Sequence, residues 1–181
     1  MNALYNGGIR CVEITLNTPH SLEMIEELKN HYENDLLIGA GTVLDQASAY
    51  SAIYAGADFI LSPVLSYDVI EMCHRYSKCV VPGIATPTEA VNAWKEGADI
   101  VKIFPAASLG SSYIKNILSP LESLDMMAVG GVTLENLSSF LRAGASTLGI
   151  GGSLADPACI AQEDYQRIEQ LAKNFIIASK Q

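Results

Sequence analysis

Short runs rich in β-branched and aliphatic residues alternate with longer amphipathic segments along most of the chain. Each run begins 20 to 27 residues after the previous one, which is room for one strand, one helix and two loops. The predicted strands are IRCVEITL (9–16), LLIGAGT (36–42), DFILSP (58–63), CVVPGI (79–84), DIVKIF (99–104), MMAVGG (126–131) and STLGIGG (146–152).

The segments between these strands carry helix boundary signals. A helix is predicted to open near Pro19 and Ser21. Another has Thr86 as its N-cap, followed by a proline and, three residues after the cap, a glutamate. A third is predicted to start at Thr133. The dipeptide Gly-Ala recurs at 56–57, 97–98 and 144–145, where each time a helix is expected to close and a strand to open.

Repeated strand–helix units predict a parallel sheet with helices outside it. We expect a (β/α)₈ TIM barrel forming one domain over residues 1–181, because no glycine-rich dinucleotide turn follows the first strand and glycine-rich strand ends fall late in the chain. Only seven strands are counted, and the chain opens with a short helical fragment followed by GGIR. The barrel is therefore predicted to lack its N-terminal first strand in this chain.

Two strands place an ionisable residue on an otherwise apolar element. In 11–16 the aliphatic face is Val12, Ile14 and Leu16, which leaves Glu13 on the other face. In DIVKIF, alternation likewise places Lys102 opposite an aliphatic face. If the aliphatic faces pack on the helices, both charged side chains point into the barrel.

Burying an unpaired charge costs several kcal/mol or more, so this arrangement has a structural or a chemical reason. The structural interpretation is an ion pair that braces the barrel. The chemical one starts from desolvation, which lowers the pKa of a lysine and raises that of a carboxylate. A partly neutral Lys102 would then be a nucleophile for a carbonyl carbon, and Glu13 a proton shuttle. Together they suggest imine chemistry on a keto substrate.

Glycine-rich turns follow the last two predicted strands, as VGGV (129–132) and GIGGS (149–153). Barrels commonly bind phosphate at this place through backbone N–H groups, and the Ser153 hydroxyl could add a donor. Glycines also serve tight turns, which is the alternative interpretation. GAGTV (39–43) ends another strand, where Thr42 is either a polar group at the barrel mouth or part of close packing.

Composition narrows the function classes. The formal net charge is −9, with 11 Lys and Arg residues and no basic patch, so nucleic-acid or anionic-membrane binding is not expected. No apolar run reaches the length of a membrane helix and no secretory signal is visible, which predicts a cytoplasmic protein. The four cysteines are scattered without a C-x-x-C pair, and neither a metal nor another cofactor is predicted.

The ordered series VEITLNTP, IGAGTV, SP, VPGIATPTE, VKIFPA, GGV and GIGGS resembles the 2-keto-3-deoxy-6-phosphogluconate (KDPG) / 4-hydroxy-2-oxoglutarate (KHG) aldolase family, over roughly residues 4–175. The resemblance implies a metal-free class I aldolase, usually a homotrimer, that cleaves a 2-keto-4-hydroxy acid to pyruvate and an aldehyde, typically glyceraldehyde 3-phosphate. It implies Lys102 as the imine-forming lysine and Glu13 as the general acid/base. It also implies Thr42, Pro63 and Phe104 in the pyruvyl pocket, and Gly130, Gly131, Gly151, Gly152 and Ser153 on the phosphate side.

The sequence departs from the family pattern at two polar positions. The family's E-x-T-L-R-T carries an arginine where this chain has Asn17, and its T-G-G carries a threonine where this chain has Val129. These changes, together with the missing first strand, keep a second hypothesis open, a phosphosugar-binding barrel that is catalytically impaired. An isomerase or synthase barrel is a third, weaker one, because such an enzyme does not need a lysine within an apolar strand.

Overall fold

The computed structural model describes residues 1–180 and shows an α/β fold with parallel strands. The chain divides into two compact units. One is Arg10–Lys102, and the other combines Met1–Ile9 with the chain from Ile103 onward.

The unit Arg10–Lys102 repeats a strand followed by a helix. Its strands are β1 (Cys11–Thr15), β2 (Leu37–Gly41), β3 (Phe59–Leu61), β4 (Cys79–Val81), β5 (Gly83–Ile84) and β6 (Ile100–Ile103), the last ending one residue beyond the unit. Helix α1 (Asn2–Asn6) precedes this unit in the chain. The helices of the unit are α2 (Ser21–Tyr32), α3 (Gln46–Tyr54), α4 (Tyr67–Arg75) and α5 (Pro87–Lys95).

Strands β1 to β4 pair in parallel and in chain order, with β1 at the edge. Residues in register share a face of the sheet, and successive residues alternate between faces. One face carries the fully buried apolar residues Ile38, Ala40, Ile60 and Val80. The other carries Glu13, Gly39, Phe59 and Cys79 in one row across the four strands. Glu13 therefore lies on the same face of the sheet as Gly39 and Gly41 of β2.

The predicted aliphatic face of the first strand is less buried than expected. Val12 and Ile14 are half-buried, whereas the β2 residues beside them in the register, Ile38 and Ala40, are inaccessible to solvent. β1 is the edge strand of this sheet, with a neighbour on one side only.

The predicted strand 79–84 is two strands, because Pro82 separates β4 from β5. Proline has no N–H to donate to a ladder. Its carbonyl oxygen is used instead, since the Lys102 N–H donates to it at 2.8 Å. This split brings the number of described strands to eight.

The three Gly-Ala dipeptides close their helices in one common geometry, as predicted. Gly56, Gly97 and Gly144 have φ of 101°, 85° and 106°, the left-handed region that favours glycine. In the first, the Gly56 N–H donates to Ile53 and the Ala57 N–H to Ala52, each at 3.0 Å, which is the Schellman pattern. The other two repeat these bonds, and all three alanines are buried.

The second unit contains two parallel strands, β7 (Asp125–Val129) and β8 (Thr147–Gly149). Its helices are α1 (Asn2–Asn6), α6 (Ala106–Leu109), α7 (Ser111–Leu118), α8 (Leu137–Arg142), α9 (Pro157–Ala161) and α10 (Tyr165–Ala178). The terminal helices α1 and α10 pack together, with Gly7 so close to Ala172 that a Cβ on the glycine would lie 2.3 Å from the alanine Cβ.

Helix boundaries were predicted with mixed success. The predicted helix starts near Ser21 and after Thr86 are confirmed. The predicted start at Thr133 is wrong, because α8 begins at Leu137 after a turn and has Asn136 as its N-cap. The Asn136 amide explains the delay: it accepts from the Thr133 N–H and donates to the Gly131 carbonyl, both at 2.8 Å, and so holds a loop where a first helical turn was expected.

The parallel α/β class is thus established, whereas the barrel, the absent first strand and the single domain over 1–181 stay predictions. Within residues 1–180, no helix is both long enough and apolar enough to cross a bilayer.

Candidate active site

Lys102 is a buried lysine, with 5% of its surface exposed. Its neighbours in β6, Val101 and Ile103, are fully buried. The hydrogen bond from its N–H to the Pro82 carbonyl fixes its backbone. A cationic side chain in such surroundings is costly. Its direction into a barrel stays a prediction.

The Glu13 side chain lies over strand β2. A Cβ built on Gly41 would lie 1.5 Å from Oε1 and 2.3 Å from Cδ of Glu13, so the carboxyl group occupies the space that a side chain at Gly41 would fill. Gly41 is in register with Thr15, two residues further along β1 than Glu13. The Glu13 side chain therefore extends toward the carboxyl end of the strands, where active sites of parallel α/β proteins lie.

Glu13 and Lys102 influence each other's titration. Burial lowers the pKa of Lys102, and the negative charge of Glu13 opposes this by raising it. Burial raises the pKa of Glu13, and the charge of Lys102 opposes that by lowering it. In both residues burial is the larger effect, so each is shifted toward its neutral form. A neutral amine can attack a carbonyl carbon, and a carboxyl group with a raised pKa is better suited to give and take a proton than an ordinary carboxylate.

Thr42 immediately follows β2 and has a left-handed backbone, with φ of 58°. This conformation is rare for a β-branched residue. Both flanking positions are fixed: the Gly41 carbonyl accepts from the Leu16 N–H at 2.8 Å, and the Val43 N–H donates to the Leu61 carbonyl at 3.2 Å. The neighbouring strands thus hold Thr42 in its strained conformation, half-buried at the carboxyl end of β2.

Pro63 lies in the turn after β3, against Gly83. A Cβ on Gly83 would lie 2.3 Å from the Pro63 carbonyl carbon and oxygen, so glycine is needed there for space. The turn is fixed further by the fully buried Ser62, whose N–H donates to the Val81 carbonyl at 3.2 Å. Pro63, Thr42, Glu13 and Lys102 all belong to the unit Arg10–Lys102.

The remaining predicted site residues belong to the second unit. Phe104 is 39% exposed, and its ring lies against Gly130, where a Cβ would be 3.1 Å from two ring carbons. Gly130 and Gly131 have φ of 93° and 74°, so this turn requires two consecutive left-handed residues. The Gly130 carbonyl accepts from the Ala107 N–H at 2.9 Å, which joins the turn to the start of α6.

The two glycine turns are linked by Ser153, whose hydroxyl donates to the Val132 carbonyl at 2.6 Å. Gly151 and Gly152 are exposed, and a Cβ on either would meet nothing within 4 Å. The N–H groups of Gly130, Gly131, Gly151 and Gly152 donate to no acceptor within residues 1–180. Such N–H groups are donors available to an anion.

Sequence reasoning missed two residues that shape these turns and strands. Asn136 holds the loop after β7 through both the oxygen and the nitrogen of its amide. The sequence signal for this was an asparagine three residues after a threonine. Such a side chain can bond to the nearby backbone and so competes with helix formation. Gly41 was noted only as part of GAGTV, because its spatial relation to Glu13 depends on strand register.

Other candidate features lie apart from these residues. A cavity of about 470 Å³ is lined by α2 and α3 residues with Ala55, and contains none of the predicted site residues. Among residues 1–180, no group of three or more His, Cys, Asp or Glu side chains is arranged to hold a metal ion.

Comparison with known proteins decides the family. The family model described as KDPG and KHG aldolase matches residues 1–171. The chain belongs to this family. It is 36% identical over 182 residues to the 2-dehydro-3-deoxy-6-phosphogalactonate aldolase of Escherichia coli K12, a match that covers 100% of this chain and 87% of the relative.

Solved structures agree with this family assignment. A native KDPGal structure matches with a TM-score of 0.92 and 35% identity, covering 99% of this chain and 85% of the other. The KDPG aldolase of Legionella pneumophila, with pyruvate captured at low pH as a covalent carbinolamine intermediate, matches with a TM-score of 0.89 and 28% identity over 95% of this chain and 84% of that one.

Proposed function

We propose that this chain is a class I aldolase, a carbon–carbon lyase that cleaves 2-keto-3-deoxy-6-phosphogluconate or a related 2-keto-4-hydroxy acid to pyruvate and an aldehyde. The observation that carries the proposal is Lys102, a buried lysine with a lowered pKa whose titration is coupled to that of Glu13. Family membership supports it, as does the carbinolamine in the Legionella relative, because a carbinolamine is the adduct that an amine forms with a ketone.

In this mechanism the neutral Lys102 amine attacks the C2 carbonyl of the substrate. The carbinolamine loses water to give an imine. Glu13, through a water molecule, takes the C4 hydroxyl proton, the C3–C4 bond breaks, and its electrons enter the imine to form an enamine while the aldehyde leaves. Protonation at C3 and hydrolysis then release pyruvate and regenerate the Lys102 amine. Burial of the lysine favours this sequence because it increases the neutral fraction near pH 7.

The remaining predicted residues take supporting roles in the proposal. Thr42, Pro63 and Phe104 are each assigned, by the family resemblance, to binding the pyruvyl part of the substrate. The glycine turns at 130–131 and 151–152 bind the substrate phosphate through N–H groups that have no acceptor within the described chain. The predicted (β/α)₈ barrel, homotrimer, cytoplasmic location and place in Entner–Doudoroff carbohydrate metabolism belong to the same proposal.

The test is reductive trapping. Incubation with pyruvate and borohydride should add a reduced pyruvyl group, which peptide mass spectrometry should locate on Lys102. Lys102→Met should abolish both trapping and cleavage, whereas Lys95→Met, which removes an exposed lysine of α5, should change neither. Release of pyruvate from the gluconate- and galactonate-derived substrates should be measured side by side. Phosphosugar binding with neither trapping nor cleavage would instead support the impaired phosphosugar-binding barrel.

A further inference from the structure

Two glycines of β2 make room on the face of the sheet that carries Glu13. Gly39 and Gly41 alternate with Ala40, which lies on the opposite, fully buried face. Neither glycine has a positive φ, so another residue could adopt either backbone conformation. The reason for glycine at both positions is therefore space.

The two spaces are filled by different side chains. At Gly39 a Cβ would lie 2.1 Å from Cε2 of Phe59, so an aromatic ring from the neighbouring strand fills that position. At Gly41 all three nearest atoms belong to Glu13: Oε1 at 1.5 Å, Cδ at 2.3 Å and Cγ at 2.7 Å. Atoms cannot approach a Cβ so closely, so a side chain at Gly41 and this placement of the carboxyl group exclude each other.

The backbone keeps Gly41 in this relation to β1. Gly41 is in register with Thr15, and its carbonyl oxygen accepts from the Leu16 N–H at 2.8 Å. Because both strands are fixed beyond Glu13, β2 cannot shift away from the carboxyl group without breaking the ladder. A methyl group at position 41 must therefore displace the Glu13 side chain.

We propose that Gly41 is a positioning residue for the aldolase reaction: its missing side chain forms the space in which the Glu13 carboxyl group lies, directed toward the carboxyl end of the strands. This inference rests on the proposed role of Glu13 in proton transfer. Gly41 touches no reacting atom and acts through Glu13 alone.

The first test uses stability and needs no activity. Gly41→Ala should change the melting temperature of the otherwise unchanged chain, because the methyl group forces the partly buried Glu13 side chain to move. In the background of Glu13→Ala the space is empty, so adding Gly41→Ala should have a different and smaller effect on the melting temperature. Equal changes in both backgrounds would overturn the proposal. A chain that shows no cleavage would refute the proposed function. The melting temperatures would still decide whether Gly41 makes room for Glu13.

The second test uses turnover in a double-mutant cycle. Glu13→Gln and Gly41→Ala should each reduce kcat, by about 10²–10⁴-fold if the full contribution of general acid–base catalysis is lost. The double variant should be no slower than the slower single variant, because both remove the same function. Additive losses would show that Gly41 acts independently of Glu13 and would overturn the proposal. Gly39→Ala is the matched control. Its methyl group meets the Phe59 ring instead of Glu13, so its effect on kcat should add to that of Glu13→Gln.

Discussion

The Ser153 hydroxyl donates a 2.6 Å hydrogen bond to the Val132 carbonyl oxygen, and so ties the glycine turn after β8 to the glycine turn after β7. The proton of this hydroxyl is therefore engaged within the protein. Ser153 was predicted as a donor to phosphate, and its geometry gives it a different way to contribute to that proposed site. It holds together two turns whose backbone N–H groups are available to an anion.

Ser153→Ala should weaken phosphate binding by loosening the two turns. Loss of one hydrogen bond of this kind costs about 0.5–1.5 kcal/mol, which corresponds to a roughly 2- to 13-fold rise in KM for a phosphorylated substrate. The KM for an unphosphorylated 2-keto-4-hydroxy acid should stay the same. Steady-state kinetics with both substrates provide the measurement, and equal changes in the two KM values would contradict the prediction. Ser179→Ala is a matched control, because it also removes a hydroxyl that is hydrogen-bonded to the backbone, but at the end of α10.

Removing the charge of Glu13 should move the titration of Lys102 to lower pH. Burial lowers the pKa of Lys102, and the negative charge of Glu13 partly offsets this by raising it. Glu13→Gln removes the offsetting charge, so the pKa of Lys102 should fall further. The neutral amine is then present at lower pH. The rate of pyruvate trapping with borohydride, followed against pH, should have its rising limb at lower pH in the variant than in the unchanged chain.

Glu23→Gln supplies the control for that pH profile, because Glu23 is an exposed carboxylate on α2. It should leave the rising limb where it is. A limb that moves to higher pH in Glu13→Gln, or does not move, would contradict the electrostatic coupling between Glu13 and Lys102.

Periodic and local patterns made much of the fold predictable. The strand–helix alternation predicted the parallel α/β class, and the Gly-Ala dipeptides marked three helix ends because each end needs a left-handed residue followed by a small buried one. The start of α8 was mispredicted because the Asn136 side chain bonds the backbone of the preceding loop, a contact that the apolar spacing does not reveal.

The candidate site was predictable wherever one residue was conspicuous by itself. A lysine within an apolar strand is such a case, and so is a glutamate between aliphatic neighbours. The space that Gly41 gives to Glu13 depends on how β1 and β2 are aligned, and a single sequence does not specify strand register. Pro63 against Gly83 is a similar case, since a close approach between two turns leaves only a glycine as its mark.

The cap of α5 gives a stability prediction away from the site. The Thr86 hydroxyl accepts from the Glu89 N–H at 3.3 Å, and the Glu89 carboxylate accepts from the Thr86 N–H at 2.8 Å, which is a complete capping box. Thr86→Ala should lower the free energy of unfolding by about 1 kcal/mol, measured by urea titration, without changing kcat. Thr86→Ser keeps the oxygen and should lose less. A loss as large in the serine variant would show that the hydroxyl is not the stabilising group.

Thr42 should separate the cost of a strained backbone from the benefit of a hydroxyl group. A non-glycine residue in the left-handed region costs about 1–3 kcal/mol, whereas glycine adopts it freely but loses more entropy on folding, by about 0.5–1 kcal/mol. Thr42→Gly should therefore leave the free energy of unfolding unchanged or raise it. If the hydroxyl binds the pyruvyl part of the substrate, the same variant should have a raised KM. Thr42→Ser keeps the hydroxyl and should have the KM of the unchanged chain. Thr42→Val keeps the strained backbone but lacks the hydroxyl, so its KM should be raised. A glycine variant that is several kcal/mol less stable yet retains the original KM would show that Thr42 serves packing, the other interpretation of GAGTV.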